Sequence, residues 1–199
     1  PLLHSLDRMV GLKQAKSMIV DQILYYVQGY NNVSRDSTGP TRGDYMHTVI
    51  HGPPGTGKTE LAKAMGMVLA RIGALSKGTF TKVCRADLVA GYLGQTAAKT
   101  KAVIEEAEGG VLFIDEAYSL GNENGQDSYS KECIDTLCEM LSDKRKDLMV
   151  IVAGYEDLLQ KCFFDLNKGL ESRFTWRVKT EGYTPNELCD IFTRMVLES

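Results

Sequence analysis

The eight residues from Gly52 to Thr59 restrict what this chain can fold into more than any other segment. They read Gly-Pro-Pro-Gly-Thr-Gly-Lys-Thr and match the pattern G-x-x-x-x-G-K-S/T, which forms a phosphate-binding loop when it follows a strand and precedes a helix. Apolar residues over 47–51 predict that strand, and apolar residues at helical spacing over 58–72 predict the helix. We therefore expect the fold to be built around this strand, loop and helix.

Each position in the loop has a chemical reason. Gly55 and Gly57 allow backbone conformations that other residues avoid, so successive N–H groups can point inward at an anion. The helix that begins there adds its positive end. Lys58 can reach the β- and γ-phosphate oxygens of a triphosphate, and the Thr59 hydroxyl can coordinate Mg²⁺. The loop residues predicted to bind ATP are Pro53, Pro54, Gly55, Thr56, Gly57, Lys58 and Thr59.

A second motif follows at 111–116, where four apolar residues precede Asp115 and Glu116. This pattern is typical of a buried parallel strand whose carboxyl end opens into a ligand crevice. We expect Asp115 to hold Mg²⁺ through its water shell and Glu116 to polarise the water that attacks the γ-phosphate. Because side chains alternate along a strand, Glu116 is expected where the backbone begins to turn. A water activator favours hydrolysis over transfer to a second substrate.

Short apolar strands alternate with longer helical segments along the chain, which predicts a mainly parallel sheet. The predicted strands are 47–51, 79–84, 111–114, 149–153 and 176–179. The predicted helices are 13–28, 58–72, 97–108 and 130–141. Residues 29–44 are rich in turn formers and are interpreted as a loop. Thr184, Pro185 and Glu187 suit the cap, first and third positions of one last helix.

Composition excludes several classes of protein. With 199 residues, 43% hydrophobic and 25% charged, the chain has the make-up of one ordered domain. Its net charge of −3 gives no global positive field for nucleic acid or an anionic membrane, and no apolar run approaches a membrane span. Five cysteines without C-x-x-C spacing disfavour a disulfide framework. We expect a soluble intracellular protein in a reducing compartment: cytoplasm, nucleus or plastid stroma.

The order of these motifs resembles the AAA+ ATPases, ring-forming motors in which adjacent subunits build each active site. More narrowly, two segments resemble the CbxX/CfqX family, which includes red-type Rubisco activases and the stage V sporulation protein K type. They are Ala-Asp-Leu-Val-Ala-Gly-Tyr-Leu-Gly-Gln-Thr-Ala-Ala-Lys-Thr at 86–100 and Gly-Gly-Val-Leu-Phe-Ile-Asp-Glu-Ala-Tyr at 109–118. The resemblance covers nearly the whole chain, from Val10 to the last helix.

The resemblance implies an α/β fold, a P-loop NTPase three-layer sandwich with a five-stranded parallel sheet in the order 5-1-4-3-2. Residues 1–182 would form the nucleotide-binding α/β subdomain, and 183–199 the first helix of a truncated helical lid. The family also implies that Val10, Gly11 and Leu12 line the adenine. An ordinary helix-entry turn explains these three residues almost equally well.

The family further implies an arginine finger, the cation supplied to the γ-phosphate of the neighbouring subunit. Arg173, in the segment Gly-Leu-Glu-Ser-Arg-Phe at 169–174, matches that position. A guanidinium suits the task because it is planar, forked and permanently charged. The competing interpretation is a salt bridge within the subunit to Glu171 or Asp165, and Arg177 is the second candidate for the finger.

Tyr92 and Leu93, followed by Gly94, resemble the pore loop with which AAA+ unfoldases grip polypeptide. A tyrosine between glycines also suits a packed turn, and its ring could stack on nucleotide bases. Many AAA+ proteins carry a polar sensor at the end of the strand before the finger, where Tyr155 stands here. The second sensor, normally an arginine of the lid, has no candidate in this chain.

The leading hypothesis is an ATP- and Mg²⁺-dependent motor that remodels or threads a protein substrate through the pore of a homo-oligomeric, hexameric ring, with Arg173 acting in trans. A Rubisco-directed role is one option within it. A nucleic-acid motor or loader is the alternative on the same fold, with Lys99, Lys101 and the basic residues at 144–146 as candidate contacts. A nucleotide-gated scaffold is a third possibility, which an intact Glu116 disfavours.

Overall fold

The computed structural model describes residues 3–29, 45–92, 94–121 and 127–197. Within them, five strands form one parallel sheet in the order β2-β3-β4-β1-β5. The strands are β1 (Thr48–His51), β2 (Phe80–Val83), β3 (Val111–Ile114), β4 (Met149–Gly154) and β5 (Trp176–Lys179). This order confirms the predicted 5-1-4-3-2 topology. Apart from Gly29, the loop predicted at 29–44 lies outside the described residues.

Helices connect the strands and cover both faces of the sheet. They are α1 (His4–Asp7), α2 (Lys13–Val27), α3 (Lys58–Arg71), α4 (Arg85–Leu88), α5 (Thr96–Glu106), α6 (Ser128–Asp143), α7 (Glu156–Leu159), α8 (Lys168–Glu171) and α9 (Pro185–Leu197). A 3₁₀ helix spans Ala117–Leu120, and α7 continues as a π-helix over Gln160–Phe164. The ends of the four longer predicted helices agree within two residues.

The core consists of two layers because both faces of the central strands are buried. Leu112 and Ile114 of β3 pack with α5, α6 and the π-helix on one side. Val111 and Phe113 alternate to the other side, where they pack with α2 and α3. All residues of β1, β3 and β4 are buried, as expected for parallel strands covered on both faces. The molecule is therefore the three-layer sandwich that the resemblance implied.

One close contact fixes how the helix after the loop lies on the sheet. A Cβ added at Gly66 of α3 would come within 2.6 Å of the Val111 side chain of β3. The helix axis can approach the strand this closely only because position 66 has no side chain. Consequently α3 is pressed onto β3, and its first residues lie at the carboxyl edge of the sheet.

The last helix is capped as the sequence predicts. The Thr184 N–H donates to Glu187 Oε2 at 2.8 Å, and the Glu187 N–H donates to Thr184 Oγ1 at 3.4 Å. None of the residues of α9 is buried. Its exposed apolar side chains include Leu188, Phe192, Met195, Val196 and Leu197.

All five cysteines lie in the described segments, and none of them forms a disulfide there. Cys84 and Cys189 are exposed, whereas the other three are buried. Burial raises the pKa of the Cys133 thiol to about 11, so that thiol stays protonated at neutral pH. No helix in the described segments has both the length and the apolar character that a membrane span needs.

Candidate active site

The phosphate-binding loop joins the end of β1 to the start of α3. Gly55 and Gly57 have φ angles of 74° and 81°, in the left-handed region where a side chain would be strained. Gly57 directly precedes Lys58, the first residue of α3, so the unpaired N–H groups of that helix begin in the loop. The backbone is thus shaped for an anion at the helix N-terminus.

Contacts with the end of β5 hold this loop in place. The buried Thr56 hydroxyl donates to the Pro53 carbonyl at 2.9 Å and lies 2.8 Å from Thr180 Oγ1. A Cβ at Gly52 would collide with the Thr180 carbonyl, so the chain leaves β1 tightly against β5. The Tyr183 hydroxyl donates to the Thr56 carbonyl at 3.1 Å. These bonds hold the loop against the end of β5.

Lys58 lies within the curve of the loop. Its Nζ donates to the carbonyl oxygens of Gly52 at 3.0 Å and Pro53 at 2.6 Å. Burial lowers the pKa of Lys58, and the nearby carboxylates of Asp115 and Glu116 partly oppose that shift. The ammonium is therefore positioned by neutral carbonyls that a phosphate oxygen could replace.

Glu116 has an unusual backbone conformation. Its φ and ψ angles are 49° and 46°, which is rare for a residue with a side chain. Asp115 directly follows β3, and the left-handed turn at Glu116 leads directly into the 3₁₀ helix. The backbone turn that the sequence predicts at Glu116 is present, and strain of this kind is concentrated at functional sites.

The two motifs meet in one cleft of about 270 Å³ at the carboxyl edge of the sheet. It is lined by Pro54, Gly55, Gly57, Lys58, Thr59, Glu60, Asp115, Glu116, Tyr118, Gly154 and Tyr155. The structure therefore brings together Lys58 and Thr59 at the start of α3 with Asp115 and Glu116 directly after β3. Tyr155, the sensor candidate, lies at the end of β4 in the same cleft.

The oxygen donors of this cleft fit Mg²⁺ that arrives with a triphosphate. Thr59 supplies a hydroxyl and Asp115 a carboxylate. Over the described ranges, no group of three or more His, Cys, Asp or Glu side chains could hold a metal by itself. Mg²⁺ is usually held by one or two carboxylates together with substrate phosphates, which is the arrangement available here.

Lys82 is a member of the site that the sequence analysis missed. Its Nζ lies 2.7 Å from Asp115 Oδ2, and it also lies 5.8 Å from the centroid of the Phe113 ring. Lys82 belongs to β2, which pairs with β3 so that Lys82 is opposite Phe113. The predicted strand order could have indicated this contact. It places β2 beside β3, and Lys82 lies opposite the residue two positions before Asp115, which is close enough for its long side chain to reach that carboxylate.

Tyr118 is the second residue that the analysis missed. Its ring lies against Gly154, where an added Cβ would come within 2.8 Å of Tyr118 Cδ1, and its centroid is 6.1 Å from that of Tyr155. Its hydroxyl lies near the Glu116 carboxylate. Burial and the nearby carboxylates raise the pKa of Tyr118, so this hydroxyl stays a neutral donor.

A second cavity of about 530 Å³ adjoins the loop on the side of α9. It is lined by Ser5, Arg8, Met9, Val10, Gly55, Gly57, Glu60, Tyr183, Ile191, Arg194 and Met195. Of the three residues predicted near the adenine, Val10 lines this cavity. Leu12 is buried, and Gly11 lies against Glu187, whose Oε1 would be 2.6 Å from a Cβ there. Apart from Gly55 and Gly57 of the phosphate-binding loop, the other lining residues belong to no motif that the sequence analysis identified.

A model of the family described as "ATPase family associated with various cellular activities (AAA)" matches residues 48–181. The chain belongs to this family. The match extends from β1 to just beyond β5, so it contains both motifs of the cleft.

Similar proteins narrow the assignment to the CbxX/CfqX group, whose members are also named CfxQ. Protein CfxQ of Xanthobacter flavus is 38% identical over 199 residues, covering 99% of this chain and 62% of that protein. The chloroplastic ribulose bisphosphate carboxylase/oxygenase activase of Cyanidioschyzon merolae is 39% identical, covering 99% and 67%. A putative cfxQ-like protein of Acanthamoeba polyphaga mimivirus is 37% identical, covering 96% and 45%. The chain thus spans about half to two thirds of its curated relatives.

Solved structures show the same fold. The FIGL-1 AAA domain in complex with ADP superposes with a TM-score of 0.65 at 22% sequence identity, covering 96% of this chain and 60% of that one. The AAA fold of the present chain is therefore shared with a protein that is distant in sequence.

Arg173 of this AAA chain lies outside the lining of the cleft that contains Lys58. Its Nε donates to Ser142 Oγ at 2.9 Å, its Nη1 donates to the Gly169 carbonyl at 2.5 Å, and its guanidinium lies 5.9 Å from the centroid of the Tyr45 ring. Glu171, a proposed partner within the subunit, pairs instead with Arg177 at 3.2 Å. Arg173 is therefore held by uncharged groups.

Tyr92, the pore-loop candidate of the AAA domain, has 74% of its surface exposed. This exposure differs from that of a packed turn residue. Leu93 lies outside the described residues, and Gly94 has a φ of 78° in the left-handed region. The ring is thus presented to solvent between α4 and α5.

Proposed function

We propose that this chain is the ATP-hydrolysing part of a ring-forming motor that remodels a protein substrate. One observation carries the proposal: Lys58, Thr59, Asp115 and Glu116 line a single cleft. A cation, a hydroxyl and two carboxylates are the groups that phosphoryl transfer to water requires. Membership of the AAA family of ATPases supports the same activity.

The four side chains have separate tasks in this proposal. The loop N–H groups and Lys58 bind the β- and γ-phosphates and stabilise negative charge there. Thr59 and Asp115 hold Mg²⁺, which when bound offsets the charge of the triphosphate. Glu116 accepts a proton from the attacking water, and the neutral Tyr118 hydroxyl nearby can donate to the Glu116 carboxylate and orient it. The cavity beside α9 takes the adenine, and its Ile191 and Met195 lining supports the assignment of 183–199 to a lid.

We propose further that the active unit is a homo-oligomeric ring, a hexamer, in which Arg173 acts on the nucleotide of the neighbouring subunit. Its two hydrogen-bond acceptors are the Ser142 hydroxyl and the Gly169 carbonyl, neither of which neutralises a cation. The positive charge therefore remains available to a phosphate outside the subunit. Phe174, the next residue, is buried and anchors the backbone at this point.

The proposed substrate is a polypeptide held by Tyr92. An exposed aromatic ring offers contact area that tolerates many sequences, as threading requires. Relatives named CfxQ and a Rubisco activase make Rubisco one protein to test.

The experiment is a measurement of ATP turnover by the protein with and without polypeptides, Rubisco included, and with single-stranded and duplex DNA and RNA. We expect Glu116→Gln to lower turnover by about 10²- to 10⁴-fold while nucleotide binding is retained. Glu139→Gln is the matched control, because it makes the same change from carboxylate to carboxamide at an exposed position of α6. Unaltered turnover in Glu116→Gln would refute the proposal, and stimulation by nucleic acid alone would favour the alternative motor.

A further inference from the structure

Arg85 stands at a junction of three elements beside the active site. It is the first residue of α4, and its Nη1 donates to the carbonyls of Ser119 and Leu120, both at 2.9 Å. Ser130 Oγ also lies 2.9 Å from this Nη1, and Nη2 donates to Asp127 Oδ2 at 2.6 Å. One guanidinium therefore joins α4 to the end of the 3₁₀ helix and to the start of α6.

The acidic partner of this junction is itself fixed. Asp127 caps α6 by accepting the Tyr129 N–H at 3.0 Å, and it accepts the Ser130 hydroxyl at 2.6 Å. The Ser130 hydroxyl and then Arg85 lower the pKa of Asp127, so its carboxylate stays charged at neutral pH. The two side chains are 36% and 23% exposed, which makes this pair less solvated than a surface salt bridge.

The contacts of Arg85 join the 3₁₀ helix, which follows Glu116, to α4, which precedes Tyr92. The 3₁₀ helix begins directly after Glu116, and α4 leads through residues 89–91 to Tyr92. On the far side of Tyr92, the Thr96 Oγ1 accepts the Ala90 N–H at 3.2 Å. Thus the segment with Tyr92 is tied both to α4 and to α5.

Further contacts make α4 and α5 one body. The Thr100 hydroxyl of α5 donates to the Leu88 carbonyl at 2.9 Å. Lys99 donates to the carbonyls of Ala86 at 2.5 Å and Val89 at 3.2 Å. A shift of the 3₁₀ helix can therefore reach Tyr92 through Arg85 without any contact between Tyr92 and nucleotide.

We propose that Arg85 is a positioning residue that transmits the nucleotide state sensed at Glu116 to the Tyr92 segment. The inference rests on the proposed function, because it assigns Tyr92 to the substrate side. A guanidinium suits this role, since its rigid fork makes several bonds in a fixed geometry that the single ammonium of lysine does not reproduce. Coupling of two sites in this way requires an element whose arrangement both sites influence, which here is the 3₁₀ helix and α4 together.

The test uses an indole at the Tyr92 position as a reporter. The chain contains one tryptophan, Trp176, so Tyr92→Trp in a Trp176→Phe background gives emission from the Tyr92 segment alone. Emission is compared between the protein with ADP and with a non-hydrolysable ATP analogue. Arg85→Lys keeps the charge but loses the fork, and Asp127→Asn removes the ion pair while keeping an acceptor that suits a helix cap. Glu108→Gln, which breaks the ion pair with Lys144 away from the junction, is the control.

We expect both junction variants to lower the nucleotide-dependent emission change by about half or more. They should also lower polypeptide stimulation of turnover by about threefold or more. Their affinity for ADP should stay within about threefold of the parent's. The control should keep both signals. A full emission change in Asp127→Asn, or in Arg85→Lys if it folds, would overturn the inference, as would a parent protein with no emission change. The emission signal does not need turnover, so a parent that binds ATP without hydrolysing it would contradict the proposed function alone.

Discussion

At the scale of single residues, Lys82 pairs with the Asp115 carboxylate that the proposed function assigns to Mg²⁺. The ammonium and the carboxylate are 2.7 Å apart, and the two side chains are 51% and 31% exposed. An ion pair this exposed is worth only about 0–1 kcal/mol. A divalent ion accompanied by a triphosphate is therefore expected to displace Lys82.

We predict that Lys82→Met strengthens Mg²⁺ binding in the presence of ADP by about two- to fivefold, because the competing cation is removed. Titration of Mg²⁺ into the protein with a fluorescent ADP analogue measures this change. Lys77→Met, a lysine that donates to the Glu108 carbonyl on the other edge of the sheet, is the matched control. Weaker Mg²⁺ binding in Lys82→Met would mean that the lysine contacts the phosphates instead.

At the scale of elements, the π-helix supplies an aromatic cluster that supports the finger candidate. Phe163 and Phe164 lie 6.0 and 5.6 Å from the Phe174 ring, both in edge-to-face geometry. All three rings are buried. Because Phe174 follows Arg173 directly, the cluster fixes the backbone from which the guanidinium projects.

We predict that Phe174→Ala lowers the free energy of unfolding by about 3–5 kcal/mol, since it removes a buried ring and leaves a cavity. Urea denaturation followed by circular dichroism measures the loss. Phe192→Ala on α9, where the ring is 69% exposed, should change stability by less than about 1 kcal/mol. Equal losses in the two variants would show that the cluster around Phe174 is not part of the cooperative core.

At the scale of the whole molecule, one buried histidine makes folding depend on pH. His47 accepts the Val150 N–H at Nδ1, at 3.0 Å, and its Nε2 faces the Leu141 carbonyl at 3.5 Å. The pKa of His47 is lowered to about 4, chiefly by burial; the Leu141 carbonyl opposes the shift and the positive charge of Arg173 adds to it. The unfolded chain therefore binds a proton near pH 6.5, before the folded chain does.

We predict that stability is full above pH 6.5 and falls as the pH decreases toward 4, by about 3 kcal/mol from His47 alone. His51, whose pKa burial also lowers, adds a contribution of the same sign. His47→Gln keeps an acceptor for Val150 and should remove most of this dependence. Urea midpoints at pH 7.5 and 5.0 measure it, with His51→Gln for comparison. An unchanged pH dependence in His47→Gln would exclude His47 as its source.

Assembly provides a test of Arg173 that a single subunit cannot give. Glu116→Gln lacks the proposed base and Arg173→Ala lacks the proposed finger, so rings of either variant should be inactive. In rings assembled from an equal mixture, about one interface in four combines an intact base with an intact finger from its neighbour. We predict that mixing restores turnover to about a quarter of the rate of the unaltered ring. ATP turnover is measured after subunits of the two variants have exchanged. A mixture as inactive as its parts would contradict action in trans.

Most of the sheet and the centre of the cleft could be predicted because their signals are local. The apolar run ending at Asp115 and the glycines before Lys58 each specify a strand end and its chemistry within a few residues. By contrast, Lys82 reaches Asp115 only because β2 pairs with β3, and Tyr183 meets Thr56 across 127 residues. The shorter helices are only four residues long, too short for periodicity to reveal them.

The left-handed backbone at Glu116 has a consequence for protein engineering. That conformation destabilises a residue with a side chain by about 1 kcal/mol or more, whereas glycine accepts it freely. A library selected for heat resistance alone would therefore enrich glycine at this position. The selected variants would be more stable to heat but would lack the proposed water activator. Thermal screening of this chain should therefore hold position 116 constant.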